Sequence, residues 1–111
     1  MKKGDVVWAD LNPTIGGEIN KIRPVIIVSN NINNQYSETI TILPITSSIN
    51  KIYPFEVLLK AKEANIKNDS KIKANQIRTI DKQRIKEYIG SLSASKLSEV
   101  DLAVKIHLAL E

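Results

Sequence analysis

At 111 residues and 42% apolar content, the chain holds enough hydrophobic sequence for one small domain with one core and too little for two. It has no cysteine and one histidine, which excludes disulfide staples, thiolate zinc sites, thiol nucleophiles and two-histidine mechanisms. A net charge of +4 favours polyanions as partners, and the lack of a leader pattern or of any apolar run of membrane-spanning length leads to the expectation of a cytoplasmic protein with no membrane association.

Gly4 to Asp10 alternates loosely around Val6, Val7 and Trp8 and predicts a first strand, ended by the turn-forming pair Asn12-Pro13. Thr14 to Lys21 joins Gly16 and Gly17 to polar residues and predicts a mobile loop. The loop feeds an unbroken apolar, β-branched run, Val25 to Val28, which suits a strand buried on both faces. Pro24 cannot donate to a sheet ladder, so it is expected at the strand's first residue, with Arg23 extended at the strand's mouth. Asn30 to Asn34 reads as a turn. Thr39 to Ile45 alternates threonine with isoleucine and leucine, as a half-buried antiparallel strand does. A fourth strand is expected at Tyr53 to Leu59. The Lys60 to Ser70 connection reads as a charged, solvated loop with one helical turn at Ala61 to Ala64, and Lys71 to Ile80 as one or two strands with a bulge near Ala74-Asn75. Asp81 can cap a short turn at Lys82 to Ile85, Tyr88 to Leu92 reads as a last strand, and Ser95 as the cap of a terminal helix. On that helix Leu97, Val100, Val104 and Leu108 form one stripe with Ala103 beside them. The sum is a mainly β fold, a strongly bent antiparallel barrel with a C-terminal α-helix over part of it, closed because closure removes exposed edges. Leu92, Leu102, Ile106 and Leu110 exceed what such a barrel can bury, which predicts a homodimer.

Arg23 is either a surface arginine at a strand end or a rigid fork of donors aimed at a phosphate, and its place before Pro24 favours the second. Thr46, in the hydroxyl run Thr46-Ser47-Ser48, either caps a turn or flanks the same anion as Arg23. Glu18, the one carboxylate of the glycine loop, is a solvated residue or a proton-transfer group. Trp8 is core or a platform for base stacking. His107, among apolar residues, reads as a packed or interface histidine. The sequence has no phosphate-cradling glycine loop, zinc spacing or nucleophile elbow, which removes the commonest enzyme classes.

Gly4-Asp5-Val6-Val7-Trp8, Gly17-Glu18 ahead of Ile22-Arg23-Pro24, Pro44-Ile45-Thr46-Ser47, and Gln76-Ile77-Arg78-Thr79-Ile80-Asp81-Lys82 with Arg84 together resemble the MazF/PemK toxin family in order and spacing. The resemblance covers nearly the whole chain, and Val100-Asp101 to Leu110 looks like the family's C-terminal helix. It implies that residues 1–111 form a single MazF/PemK-like toxin domain with an SH3-like barrel and a homodimeric assembly. The implied activity is sequence-specific, metal-independent and cofactor-free cleavage of single-stranded RNA, held in check by a cognate acidic antitoxin. By the same resemblance Arg23 and Thr46 match the principal active-site positions, and Glu18 a position whose catalytic share varies among members. Asn12, Lys21, Ser47, Gln76 and Arg78 fall in or beside segments that line the RNA groove. The implied chemistry is attack of the RNA 2′-hydroxyl on the adjacent phosphorus, giving a 2′,3′-cyclic phosphate and a 5′-hydroxyl. Glu18 is then the candidate base, and Arg23 a candidate acid that deprotonates reluctantly. An acidic, partly disordered antitoxin tail is expected to cover Arg23 and the glycine loop. Two other readings stand beside this one, a DNA gyrase-binding toxin of the same fold and an RNA-binding barrel without catalysis. Gyrase poisons of this fold rely on a C-terminal tryptophan-containing segment, whereas this chain ends His107-Leu108-Ala109-Leu110-Glu111.

Overall fold

The computed structural model describes residues 1–111 as seven strands, two α-helices and three 3-10 turns. The strands are β1 (Asp5–Asp10), β2 (Ile22–Ile27), β3 (Thr39–Thr46), β4 (Glu56–Leu59), β5 (Ser70–Lys73), β6 (Arg78–Asp81) and β7 (Ile85–Ser91). The helices are α1 (Asn31–Tyr36) and α2 (Ala94–His107), and the 3-10 turns are Glu63–Asn65, Ala74–Gln76 and Lys82–Arg84. All strand pairs are antiparallel, in the order β4-β5-β3-β2-β1-β7, with β6 alongside β3. No helix is long and apolar enough to cross a membrane.

The central strands β1, β2 and β3 are buried on both faces, because their alternate residues feed two separate cores. Val6, Ile26, Leu43 and Ile45 join Val57, Leu59, Ile72, Val100 and Ala103 under α2. Val7, Ala9, Leu11, Val25, Ile27, Ile40 and Ile42 join Ile80 on the other face. This double burial explains the unbroken apolar run of β2: with a period of two, both faces must be hydrophobic.

The sheet does not close as the expected barrel would, since β4 and β7 remain unpaired with each other. The gap is covered instead. Asn65 Nδ2 donates to the Ile89 carbonyl at 3.0 Å, and Lys96 Nζ of α2 donates to the Leu58 carbonyl at 3.1 Å. Gly90 permits this cover, because a Cβ there would stand 2.5 Å from the Ala64 carbonyl oxygen. Covering an edge protects its unpaired groups as closure does.

Several local expectations shift. β2 begins at Ile22, so Pro24 lies inside the strand, opposite Trp8, at a level the β2–β3 ladder does not reach. The asparagine run is the helix α1, not a turn, nucleated by Asn30 Oδ1 accepting the Asn33 N–H at 2.8 Å. The break near Ala74-Asn75 is a 3-10 turn, not a bulge; the bulges lie in β7, opposite the Val6–Val7 and Trp8–Ala9 steps. Helix α2 is capped by Ser93, two residues before Ser95, with Ser93 Oγ accepting the Lys96 N–H at 3.2 Å. Leu92 packs against the α2-side core, whereas Leu102, Ile106 and Leu110 are exposed, as is Leu108 at the end of the expected stripe.

Candidate active site

Arg23 is held against β1 and lies two residues past the end of the β2–β3 ladder. It pairs with Ala9 on β1, and continuing the β2–β3 register past its Val25–Pro44 pair brings Arg23 opposite Thr46. Directly opposed residues share a sheet face, so the guanidinium and the hydroxyl belong to the face that carries Val25 and Pro44. Arg23 Nε donates to the Asn20 carbonyl at 2.8 Å, which orients the fork and leaves its terminal nitrogens without a protein partner. Thr46 Oγ1 accepts the Ser48 N–H at 3.3 Å. The turn-capping role and the anion-flanking role are compatible, since the hydroxyl still has its own proton to donate.

The glycine loop is tied down by side chains bonding to backbone. Leu11 N donates to the Lys21 carbonyl at 3.0 Å, and Lys21 N to Asn12 Oδ1 at 3.2 Å, closing the loop's base. Lys21 turns there with a φ of 70° and its side chain is exposed. Gln76 grips the loop from the far side, accepting the Ile19 N–H and donating to the Gly17 carbonyl, both at 3.3 Å. Arg78 Nη1 donates to the Leu11 carbonyl at 3.0 Å, and Arg84 Nη1 to the carbonyls of Asp10, at 3.1 Å, and of Asn12. Asn12, Gln76 and Arg78 therefore all carry structural duties in addition to any contact with a ligand. Glu18 Oε1 accepts the Ile15 N–H at 2.6 Å, and the residue is exposed.

The candidate residues fall into two openings rather than one. Arg23 and Ser47 line a cavity of about 320 Å³ together with Trp8, Ile45, Ile66, Ile89 and the Lys67-Asn68 segment. Glu18, Gln76 and Arg78 line a wider one of about 480 Å³ that reaches Pro44. Thr46, Asn12 and Lys21 line neither. Pro44 shares a face with Arg23 and Thr46, so the second opening, which reaches Pro44, borders the face whose rim carries Arg23 and Thr46. Trp8, expected as core or stacking platform, is half-buried in the first cavity's wall. His107 is exposed at the end of α2, its ring tilted against Phe55 with centroids 6.1 Å apart.

A polar cluster that the sequence does not announce lies beside this rim. Glu56 of β4 has a fully buried side chain; its Oε1 accepts the Tyr53 N–H at 2.9 Å and Lys71 Nζ at 3.1 Å, while Lys73 Nζ lies 3.2 Å from Oε2. Burial pushes the carboxyl's pKa up, but the Tyr53 N–H, then Lys71 and Lys73, together outweigh it and hold the group below the ordinary value of 4.5. Lys71 also donates to the Lys51 carbonyl at 2.8 Å and pairs with Thr46 across the β3–β5 ladder. The cluster thus pins the segment that follows Thr46. The charges from Lys60 to Lys73 read in the sequence as those of a solvated segment, and that reading fails at Lys71, which is buried. Period-two alternation with Ile72 places Lys71 and Lys73 on one face, and the buried glutamate across β4 is the partner that alternation alone does not reveal.

The family model described as PemK-like, MazF-like toxin of type II toxin-antitoxin system matches residues 2–108. Over 115 residues the chain is 41% identical to a Mycobacterium tuberculosis protein named endoribonuclease MazF9, covering 99% of this chain and 98% of that one. It is 44% identical over 111 residues to the Staphylococcus epidermidis protein named endoribonuclease MazF, covering 99% and 92%. The crystal structure of MazF from Deinococcus radiodurans superposes with a TM-score of 0.86 at 27% identity, over 99% of this chain and 97% of that one.

Proposed function

This chain belongs to the PemK-like, MazF-like toxins of type II toxin–antitoxin systems, and from that premise we propose how its Arg23 rim cleaves RNA. It is an endoribonuclease toxin neutralised by an antitoxin, as a member whose full-length relatives bear the name endoribonuclease MazF. The substrate is single-stranded RNA, cut at particular sequences by a homodimer in the cytoplasm. The exposed Leu102, Ile106 and Leu110 of the C-terminal segment support a second copy as the cover they need.

The reaction is a transfer within the RNA. The 2′-hydroxyl attacks the neighbouring phosphorus, the bond to the 5′ oxygen breaks, and the products end in a 2′,3′-cyclic phosphate and a 5′-hydroxyl. The nucleophile is already part of the substrate, so no metal is required to activate a water. The barrier falls when preorganised donors stand where negative charge grows on the phosphoryl oxygens. Arg23 supplies the planar fork and Thr46 the hydroxyl. Glu18 accepts the 2′-hydroxyl proton, and a proton must also reach the leaving 5′ oxygen, with Arg23 as the candidate donor. Ser47 from the first cavity, Gln76 and Arg78 from the second, and Asn12 and Lys21 at the loop's base border the path of the strand.

The observation that carries this reading is the Arg23 fork: oriented by Asn20, on the same sheet face as Thr46, with its terminal nitrogens free to bind an anion. Incubating the purified protein with a long RNA and mapping the cut ends tests it. Discrete cuts with 5′-hydroxyl ends are expected. Binding without cutting would instead favour the non-catalytic barrel, and inhibition of gyrase without RNA cleavage the gyrase-binding toxin.

A further inference from the structure

Thr46 is held to the sheet from one side only. The β2–β3 ladder ends at the Val25–Pro44 pair, so the last two residues of β3 have no partner on β2 and take theirs from β5, Ile45 opposite Ile72 and Thr46 opposite Lys71. Directly opposed residues share a face, so the Lys71 side chain leaves the sheet beside that of Thr46. The ladder uses backbone groups alone and would be completed equally well by an apolar residue at this position. A buried ammonium is unfavourable unless it is paired and hydrogen-bonded. Lys71 is both: its Nζ donates to Glu56 Oε1 at 3.1 Å and to the Lys51 carbonyl at 2.8 Å.

The second of these bonds leaves the sheet. It reaches the connection from Ser47 to Phe55, which begins at Thr46 and is exposed at Ser47, Ser48 and Asn50 to Pro54. At its start, Thr46 Oγ1 accepts the Ser48 N–H at 3.3 Å. At its end, Tyr53 N donates to Glu56 Oε1 at 2.9 Å and Glu56 N to the Tyr53 carbonyl at 2.8 Å. Between these two anchors, the bond from Lys71 to the Lys51 carbonyl is the one hydrogen bond that joins the connection to the sheet. The Lys51 ammonium itself lies 4.7 Å over the Tyr53 ring, a contact made within the connection. An exposed segment with so few bonds belongs to the low-stability end of a structure. Releasing its middle frees Ser48, and with Ser48 the bond that orients the Thr46 hydroxyl. That bond occupies the oxygen as an acceptor and leaves the hydroxyl's own proton to be aimed at a phosphoryl oxygen.

We propose that Lys71 is a positioning residue for RNA cleavage: its buried ammonium ties the Lys51 carbonyl to β5 and so fixes the connection that sets the Thr46 hydroxyl. On the endoribonuclease reading, which this assignment rests on, Lys71 acts without touching the RNA. Its two bonds have separable duties. The bond to Glu56 neutralises a buried charge and serves stability, while the bond to Lys51 serves the geometry at Thr46.

Two variants of the full-length protein divide those duties, each assayed on an oligoribonucleotide carrying the mapped cleavage motif. Glu56→Gln loses the charge but keeps an acceptor oxygen for the Tyr53 N–H and for Lys71, so it should be less stable and keep kcat within about twofold of the wild type. Lys71→Met keeps the side chain's length and loses its donors. It should lower kcat roughly 10- to 100-fold, the scale of a misplaced reacting group, while KM and the affinity for an analogue with a 2′-deoxy residue at the cut site stay within about threefold. The loss should also depend on the hydroxyl: in a Thr46→Val background, Lys71→Met should lower kcat by no more than about twofold further. If Lys71→Met does not fold, the double variant with Glu56→Gln, which removes the carboxylate left with one lysine, carries the same prediction. Wild-type kcat in Lys71→Met, an equal loss in Glu56→Gln, or an undiminished loss in the Thr46→Val background would overturn the positioning role and leave a purely structural ion pair. A loss confined to KM would overturn it in favour of an RNA contact. Failure of the wild type to cut RNA would overturn the underlying reading itself.

Discussion

Glu18 and Glu56 make the same local bond. Each accepts the backbone N–H of the residue three positions earlier, Ile15 at 2.6 Å and Tyr53 at 2.9 Å. Their surroundings then diverge. The Glu56 side chain is wholly buried, with Lys71 and Lys73 within 3.1 and 3.2 Å, whereas Glu18 lies exposed on a loop with no cation paired to it. The first carboxylate has its charge neutralised inside the protein and holds β4 to β5; the second keeps an oxygen available for a proton or a ligand. A carboxylate's role follows from burial and from the partners competing for it, not from the turn it sits in. The same contrast separates the cationic partners: Lys71 is consumed by Glu56 and the Lys51 carbonyl, while Arg23 uses one nitrogen on Asn20 and keeps the rest.

If that contrast is correct, changes at the rim should disable catalysis and leave stability alone, and changes at Glu56 should do the reverse. The largest effect is expected at Arg23. Arg23→Ala should lower the cleavage rate on the order of 10²–10³, the loss of one preorganised donor, with RNA affinity and melting temperature changed much less. Arg23→Lys should not restore activity, because an ammonium lacks the planar two-point fork. Thr46→Ser should retain more activity than Thr46→Val, which keeps the shape and loses the hydroxyl. Single-turnover kinetics beside a binding titration separates these outcomes.

At Glu56 the expected loss is in stability. Glu56→Gln removes the charge facing two lysines and should cost about 3 kcal/mol, read by urea unfolding of the otherwise active protein. The pH dependence has a fixed sign. The folded-state value lies below the ordinary 4.5, so the stabilisation is present above that value and is lost as pH falls through the depressed one. The Gln variant should lack that part of the acid sensitivity. A variant as stable as the parent at neutral pH would erase the distinction between the two carboxylates.

Smaller effects sharpen the picture of the loop. Gln76→Ala removes the bonds to Ile19 and Gly17 and should cost about 1 kcal/mol of stability, together with a several-fold fall in kcat for RNA as Glu18 loses its fixed position. Smallest is Lys21→Ala, whose exposed side chain is expected to contact phosphate only. It should weaken binding across all sequences and flatten the salt dependence by roughly 0.7 log units per decade. Arg78→Ala should flatten it similarly but also destabilise, since Arg78 holds the Leu11 carbonyl.

What was legible in the sequence was whatever a period or a cap encodes. Val25 to Val28 announced a doubly buried strand because both cores draw on β2, whereas the proline misled about where that strand begins, which is Ile22 and not Pro24. The asparagine run misled because weak helix propensity outweighed a good cap at Asn30. The Glu56 cluster escaped because lysine and glutamate in separate strands look solvated until a ladder brings them together. The candidate site was legible only residue by residue. That Arg23 and Glu18 line different openings, and that Asn65, Lys67 and Asn68 stand near Arg23, depends on a turn in left-handed backbone that no pattern of side chains marks.

The central claim is that the RNA's own 2′-hydroxyl is the nucleophile at the Arg23–Thr46 rim. A chimeric oligonucleotide carrying the mapped cleavage motif, ribose throughout except for one 2′-deoxy residue at the cut site, tests it in a single reaction beside its all-ribose twin, with and without EDTA. The twin should be cut to a 2′,3′-cyclic phosphate and a 5′-hydroxyl in either buffer, while the deoxy substrate should bind comparably and not be cut at all. Cleavage of the deoxy substrate, or loss of activity toward the twin in EDTA, would show that water or a metal-bound species makes the attack, and would contradict Arg23 and Thr46 as the phosphate's donors and Glu18 as the base.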